Sequence, residues 1–298
     1  MSEVAQSALP IFVIGDSHAL PFKNMFFRDK WTGQWVTVRS KYISGLTAHD
    51  IFNPATREFL PSVIACLEYE GLIRDGGAAH LSKNEIDFSI AQASGLPVTP
   101  PLVLFTVGDI DIRGTMLPMF GDQYDFVPPF DLPYPLLDRQ IIPWDIVAGV
   151  IESRLRPFVE GLKQLRIAGF NRLYVQLVVP PTANEERIRQ LHGIHCPLSV
   201  RAKLVSSFNR ILTEAMEAIG VTTIDIWPEV TGAEGYLLPD YELDGVHLPP
   251  KAARIQLEQL LEHAVNCPWE SVNHVRYEMF YRMACGLAPI ESETGSVS

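Results

Sequence analysis

Five short runs of apolar residues stand out along the chain, at residues 11–14, within 36–43, and at 102–107, 173–179 and 222–226. They are rich in β-branched or aromatic side chains, and most end at Gly, Pro or Asp, which predicts buried strands. Runs that are apolar throughout, rather than alternating, fit a parallel sheet covered on both faces. Between the runs, apolar residues recur at helical spacing. Residues 54–70 place Phe59, Leu60, Val63, Ile64 and Leu67 in this way, with the helix starting or kinking at Pro61. Residues 144–168, 199–219 and 251–265 predict three further amphipathic helices. Strands alternating with helices imply right-handed crossovers and an α/β protein. The expected architecture is a three-layer α/β/α sandwich around a five-stranded, mainly parallel sheet.

Two stretches break the alternation. Residues 74–101 carry only a weak helical pattern around Gly76 and Gly77. Residues 114–143 are rich in Pro and aromatic residues and predict a long excursion after the third strand, serving either as a cover for a site or as a packed surface loop. Beyond residue 265 the pattern changes again. Residues 269–287 predict an added helix with Val272, Val275, Met279 and Phe280 on one side, an arm that would pack either on the domain or on another copy of the chain in a homo-oligomer. The last eight residues are polar and are expected to fray. The expected organisation is therefore one domain over 1–265 and an arm with a tail over 266–298.

Charge and cysteine usage narrow the function classes. A net charge of −11 with no basic run argues against a nucleic-acid partner. Cys66, Cys196, Cys267 and Cys285 are widely spaced, which fits free thiols better than a zinc site or a disulfide framework. No apolar stretch is long enough to span a membrane, and the N-terminus lacks the basic and apolar regions of a secretory signal, so a cytoplasmic protein is expected. No phosphate-loop or dinucleotide-binding glycine pattern is present. The His192-Gly193-Ile194-His195-Cys196 stretch lies in a polar loop with no carboxylate at a familiar ligand spacing. Neither a metal nor any other cofactor is expected.

The chemistry concentrates in two motifs. Gly15-Asp16-Ser17-His18 directly follows the first strand, which places a hydroxyl at the carboxyl end of the sheet, where open α/β sheets bind ligands. Asp16 or Ser17 would serve equally as the N-cap of a helix. Asp244-Gly245-Val246-His247 sits after the last strand and just before the last helix. Its three-residue spacing lets the carboxylate reach Nδ1 of His247 while Nε2 faces outward. A serine needs such a base to take its proton, and the carboxylate fixes the tautomer of that base.

On these residues the chain resembles the SGNH/GDSL hydrolase superfamily, over roughly residues 10–265. The resemblance implies a flavodoxin-like fold, metal-free ester hydrolysis or acyl transfer, Ser17 as nucleophile, and Asp244 and His247 as its partners. The second family block maps to Ser44-Gly45-Leu46-Thr47, where the N–H of Gly45 would donate to the oxyanion; an ordinary strand-to-helix turn explains the same glycine. The third block departs. Where the family has Gly-x-Asn-Asp, this chain has Gly108-Asp109-Ile110-Asp111-Ile112-Arg113, and Ile110 cannot donate a hydrogen bond. Loss of one such donor costs about 10²–10³ in rate. Arg113 would substitute for it or bind a substrate anion, or Asp111 and Arg113 would merely tether the loop by ion pairs. Asp111 and His18 complete the expected oxyanion and substrate side, although His18 would equally pack at the turn without touching substrate.

The expected activity is ester hydrolysis on a small molecule or saccharide, by a carboxylesterase or O-deacylase. An acyltransferase with the same triad, a non-catalytic descendant binding a glycan or metabolite, and an interaction protein using the arm are the alternatives.

Overall fold

The computed structural model describes residues 8–73 and 101–266. The expected weak helix within 74–101 and the C-terminal arm and tail lie outside these residues, as do Cys267 and Cys285.

Six strands form the central sheet: β1 (Leu9–Gly15), β2 (Phe26–Arg28), β3 (Trp35–Tyr42), β4 (Leu102–Thr106), β5 (Leu173–Gln176) and β6 (Thr222–Ile224). Their order is β6-β5-β4-β1-β3-β2. All neighbours are parallel except β2, which pairs antiparallel with β3. The expected count of five strands is thus corrected to six. The added edge strand is three residues long with one buried side chain, too short to register as an apolar run. Taken alone, the parallel strands follow the flavodoxin-like order, with the switch point between β1 and β4.

Among the described residues, five helices of eight or more residues accompany the sheet: α1 (Pro61–Tyr69), α2 (Trp144–Ala168), α3 (Glu185–His192), α4 (Leu198–Ala218) and α5 (Pro250–Asn266). α1 starts at Pro61, which tolerates the first turn because the missing N–H has no helical acceptor there. Of the two expected outcomes at Pro61, a start and a kink, the structure has the start, and the residues before it hold a short antiparallel ladder of Phe52–Asn53 with Glu58–Phe59.

Alternate side chains of β1 enter opposite layers. Phe12 and Ile14 join the larger core with Ile151, Leu155 and Phe158 of α2 and Val200, Leu204 and Phe208 of α4. Ile11 and Val13 face Ala253, Leu257 and Leu260 of α5. Each such side chain contributes on the order of 1.5–3 kcal/mol on burial, so both faces of the strand hold it in place. The three-layer arrangement follows. Among the described residues, no helix is long and apolar enough to cross a membrane.

The excursion after β4 is more ordered than its composition suggests. Its chain is helical from Asp109 to Phe120, with a wider π-type turn over Ile112–Met116. A parallel ladder then joins Tyr124–Phe126 to Gln140–Ile142. Buried Lys203 of α4 pairs with buried Asp125 at 2.5 Å, and the Tyr134 hydroxyl donates to Gly235 O at 3.2 Å. These moorings make it a packed loop.

Candidate active site

The site begins where β1 ends. A side chain at Gly15 would collide with Thr106 of β4, its Cβ coming within 2.2 Å of the Thr106 carbonyl oxygen, so only glycine lets the two strands approach this closely. Asp16 N then donates to the same carbonyl at 3.1 Å, and the chain turns into a 3-10 helix over Ser17–Phe22. Asp16 caps that helix through His18 N, and Ser17 is its first residue. The Ser40 hydroxyl of β3 donates to Ala19 O at 2.5 Å, which ties the turn to the sheet. Asp16 therefore caps the helix, and Ser17 remains partly exposed at the carboxyl end of the sheet.

The second half arrives on the loop between β6 and α5. Gly245 sits at φ +96°, a conformation that side-chain-bearing residues rarely adopt. This lets Asp244 Oδ1 accept from the N–H groups of Val246 (3.1 Å) and His247 (2.9 Å). The other carboxylate oxygen, Oδ2, lies 2.6 Å from His247 Nδ1. On the far side of the ring, His247 Nε2 lies 2.7 Å from Ser17 Oγ. The structure thus brings Ser17, His247 and Asp244 into one hydrogen-bonded line from residues 230 positions apart.

Partial burial works against the charge on Asp244, but the His247 side chain and the two backbone donors outweigh it and bring its pKa down to about 2. The carboxylate is therefore ionised throughout the neutral range, as an orienting group must be.

Helix α3 steadies this loop. Arg187 donates to Glu242 Oε1 (3.1 Å) and to Leu243 O (2.7 Å), and His192 Nε2 lies 3.2 Å from Asp244 O. The stretch from His192 to Cys196, expected as a polar loop, therefore begins on a helix, and His192 is a loop support. α3 escaped the apolar pattern because Ile188 is its one buried residue. Burial pushes the Cys196 thiol up to about 12, which leaves it neutral and unreactive near pH 7.

The expected oxyanion and substrate side is corrected at two positions, Asp111 and His18, both of which are buried. The chain leading to Gly45 is tied to the turn that carries Ser17, Ile43 N donating to Gly15 O at 2.7 Å, and open space surrounds the position where a Gly45 side chain would stand. Asp111, expected near substrate, is instead fully buried. It accepts from Ala48 N (2.6 Å), from His49 N (3.4 Å) and from Arg154 Nε (3.0 Å), so it anchors the loop that carries Gly45 to α2. Burial pushes its carboxyl above the usual range, against the pull of those donors. Arg113, expected as an oxyanion or substrate group, pairs with Asp109 one helical turn earlier at 2.9 Å. It remains partly exposed and lines a small cleft with Gly245 and Val246.

His18 is the second correction. It is buried and engaged at both ring nitrogens, with Nδ1 3.2 Å from Asp16 Oδ1 and Nε2 3.0 Å from Val246 O, so it offers substrate nothing. Asp16, His18 and Asp109 bring three potential ligand atoms within 4.8 Å of one another. Both ring nitrogens of His18 face oxygen atoms, those of Asp16 and Val246.

No protein-family model and no curated protein matches the chain. Solved structures do. An extracellular lipase from Streptomyces rimosus aligns at 12% identity and a TM-score of 0.43, over 86% of this chain and 100% of that one. A lipase/acylhydrolase from Enterococcus faecalis aligns at 13% and 0.39, over 95% and 98%. A GDSL-like lipase from Bacteroides thetaiotaomicron aligns at 15% and 0.38, over 88% of each. With these TM-scores the likeness carries no argument about activity, which rests on the geometry above.

Proposed function

We propose that this protein is a serine hydrolase of the SGNH/GDSL type, and more particularly an esterase that cleaves acyl groups from a small molecule or saccharide. The observation that carries the proposal is the unbroken line Ser17 Oγ–His247 Nε2–His247 Nδ1–Asp244 Oδ2, at 2.7 and 2.6 Å. Those lengths are within the reach of a working nucleophile, base and orienting carboxylate.

In the reaction, Ser17 Oγ attacks the ester carbonyl carbon and its proton passes to His247 Nε2. The negative oxygen of the tetrahedral intermediate meets the backbone N–H groups of Ser17 and Gly45. As the intermediate collapses, the bond to the alcohol oxygen breaks and His247 returns the proton to that oxygen. The acyl group stays on Ser17. Water then gives a proton to His247 and attacks the acyl carbon. The acid leaves, and Ser17 recovers its proton. Asp244 stays ionised throughout and stabilises the imidazolium.

One observation favours hydrolysis over acyl transfer. The excursion after β4 is moored to α4 and to the Gly235 turn, while Ser17 and Asp244 remain partly exposed, so water reaches the acyl-enzyme. The direct test is turnover of p-nitrophenyl acetate by the wild type and by Ser17→Ala. The expected result is measurable turnover that the substitution abolishes. Equal rates for the two proteins would overturn the proposal.

A further inference from the structure

The proposed reaction gives no role to the histidine that follows Ser17 in the chain. His18 lies beside the nucleophile, its ring 5.1 Å from that of His247, yet buried away from the reacting groups. Both of its partners are pure acceptors. Asp16 Oδ1 is a carboxylate oxygen that already takes His18 N at 2.9 Å, and Val246 O is a backbone carbonyl. A neutral imidazole carries one ring proton and one lone pair, so it satisfies only one of them. Either neutral tautomer points a lone pair at an oxygen, and only the doubly protonated ring fits both contacts.

The surrounding charges agree. Asp16 faces the ring from the turn after β1, and Asp109 faces it from the segment after β4, with Arg113 pairing Asp109 on its other side. The base loop contributes the Val246 carbonyl and the His247 ring, and β5 contributes the neutral Gln176. The sequence of charges Asp16, His18, Asp109, Arg113 is then minus, plus, minus, plus. Asp16 Oδ2, Thr106 Oγ1 and Gln176 Oε1 are buried without a protein partner around a cavity of about 10 Å³, which suits one water. Burial works against the charge on His18, but the fields of Asp16 and Asp109 and its two hydrogen bonds outweigh it and lift its pKa to about 9.

The placement gives that proton a consequence. Val246 immediately precedes His247, and Asp16 immediately precedes Ser17. The ring of His18 therefore joins the backbone beside the base to the side chain beside the nucleophile, across 228 residues of sequence. We propose that His18 is a buried imidazolium that straps the base loop to the nucleophile turn and so sets the spacing of Ser17 and His247: a positioning residue whose proton activity requires. When the proton leaves to solvent, a lone pair meets Val246 O or Asp16 Oδ1, the strap opens, and the base drifts from the hydroxyl. A displacement near 1 Å is enough to cost about 10²-fold in rate.

The role rests on the serine-hydrolase reading, but the protonation state does not, so two measurements separate them. Histidine ¹⁵N NMR of the full-length wild type reads the ring directly. His18 is expected to show both nitrogens protonated at pH 7.5 and to lose a proton near pH 9. Its signals are assigned by their loss in His18→Gln, or by proximity to Val246 if that variant does not fold. A single neutral tautomer at pH 7.5 would overturn the inference even if Ser17 proves to be the nucleophile. The second measurement is the pH profile of kcat/KM. The wild type is expected to fall on the alkaline side near pH 9. His18→Gln is expected to lose that limb, with kcat down roughly 10²-fold and KM changed by less than about threefold. A His18→Gln profile that superimposes on the wild type would refute the positioning role.

Discussion

The turn after β1 and the loop before α5 each hold one histidine, and the two rings stand 5.1 Å apart in opposite circumstances. His247 is partly exposed, with a carboxylate on one nitrogen and a hydroxyl on the other. A hydroxyl both gives and takes a proton, so this ring can change state within a catalytic cycle. His18 is buried between two acceptors that can only take. The same side chain is a moving part in one place and a fixed tie in the other, and what decides between them is the chemistry of the atom facing Nε2. The two sides of the site also differ in how they are held. The base side is secured by His18, by Arg187 and by the turn at Asp244. The loop that carries Gly45, the proposed oxyanion side, is held by the buried Asp111, which accepts from Ala48 N, His49 N and Arg154 Nε.

The contrast can be broken first at the moving histidine. His247→Ala is expected to lower kcat/KM for p-nitrophenyl acetate by roughly 10⁴-fold or more, and Asp244→Asn by about 10⁴-fold, both in steady-state assays. A loss below tenfold for His247→Ala would equate the two histidines and remove the distinction. Next in size is the anchor of the oxyanion side. Arg154→Ala leaves Asp111 buried without its cation and is expected to destabilise the fold by about 3 kcal/mol, read as a lower denaturation midpoint in urea. An unchanged midpoint would mean that Asp111 is held by Ala48 N and His49 N alone.

Two smaller effects follow from pH. The raised pKa of His18 contributes stability that is complete below its ordinary value of 6.5 and is lost as pH rises through about 9. Thermal denaturation between pH 6 and 10 should show that alkaline decline in the wild type and a flatter curve in His18→Gln. Asp244 has the opposite sign. Its lowered pKa gives stability that is present above the ordinary value near 4 and is lost as pH falls toward about 2. Replacing it by Asn is expected to flatten the acid end of the Tm profile, and an unaltered slope between pH 4 and 2 would contradict the assigned hydrogen bonds.

Local patterns were readable in the chain, and distant ones were not. β1 and β4 are apolar throughout because both of their faces are covered, so they announce themselves in sequence. Phe26–Arg28 and α3 bury one side chain each and leave almost no apolar signal. The pairing of Asp244 with His247 is legible because three residues of a tight turn create it. The bond from Arg154 to Asp111 joins residues 43 apart, and the one from His18 to Val246 joins residues 228 apart, so neither has a local spacing to betray it. Asp109 and Arg113 do have one: four residues on a helical turn predict an ion pair. The structure has that pair at 2.9 Å.

The central claim is that Ser17 is a nucleophile activated by His247. Reaction of the folded wild type with a fluorophosphonate probe, followed by peptide mapping by mass spectrometry, tests it most directly. The account predicts a single adduct on the peptide carrying Ser17, absent in Ser17→Ala and strongly slowed in His247→Ala. A folded wild type that takes up no probe, or takes it up on another residue, would contradict it.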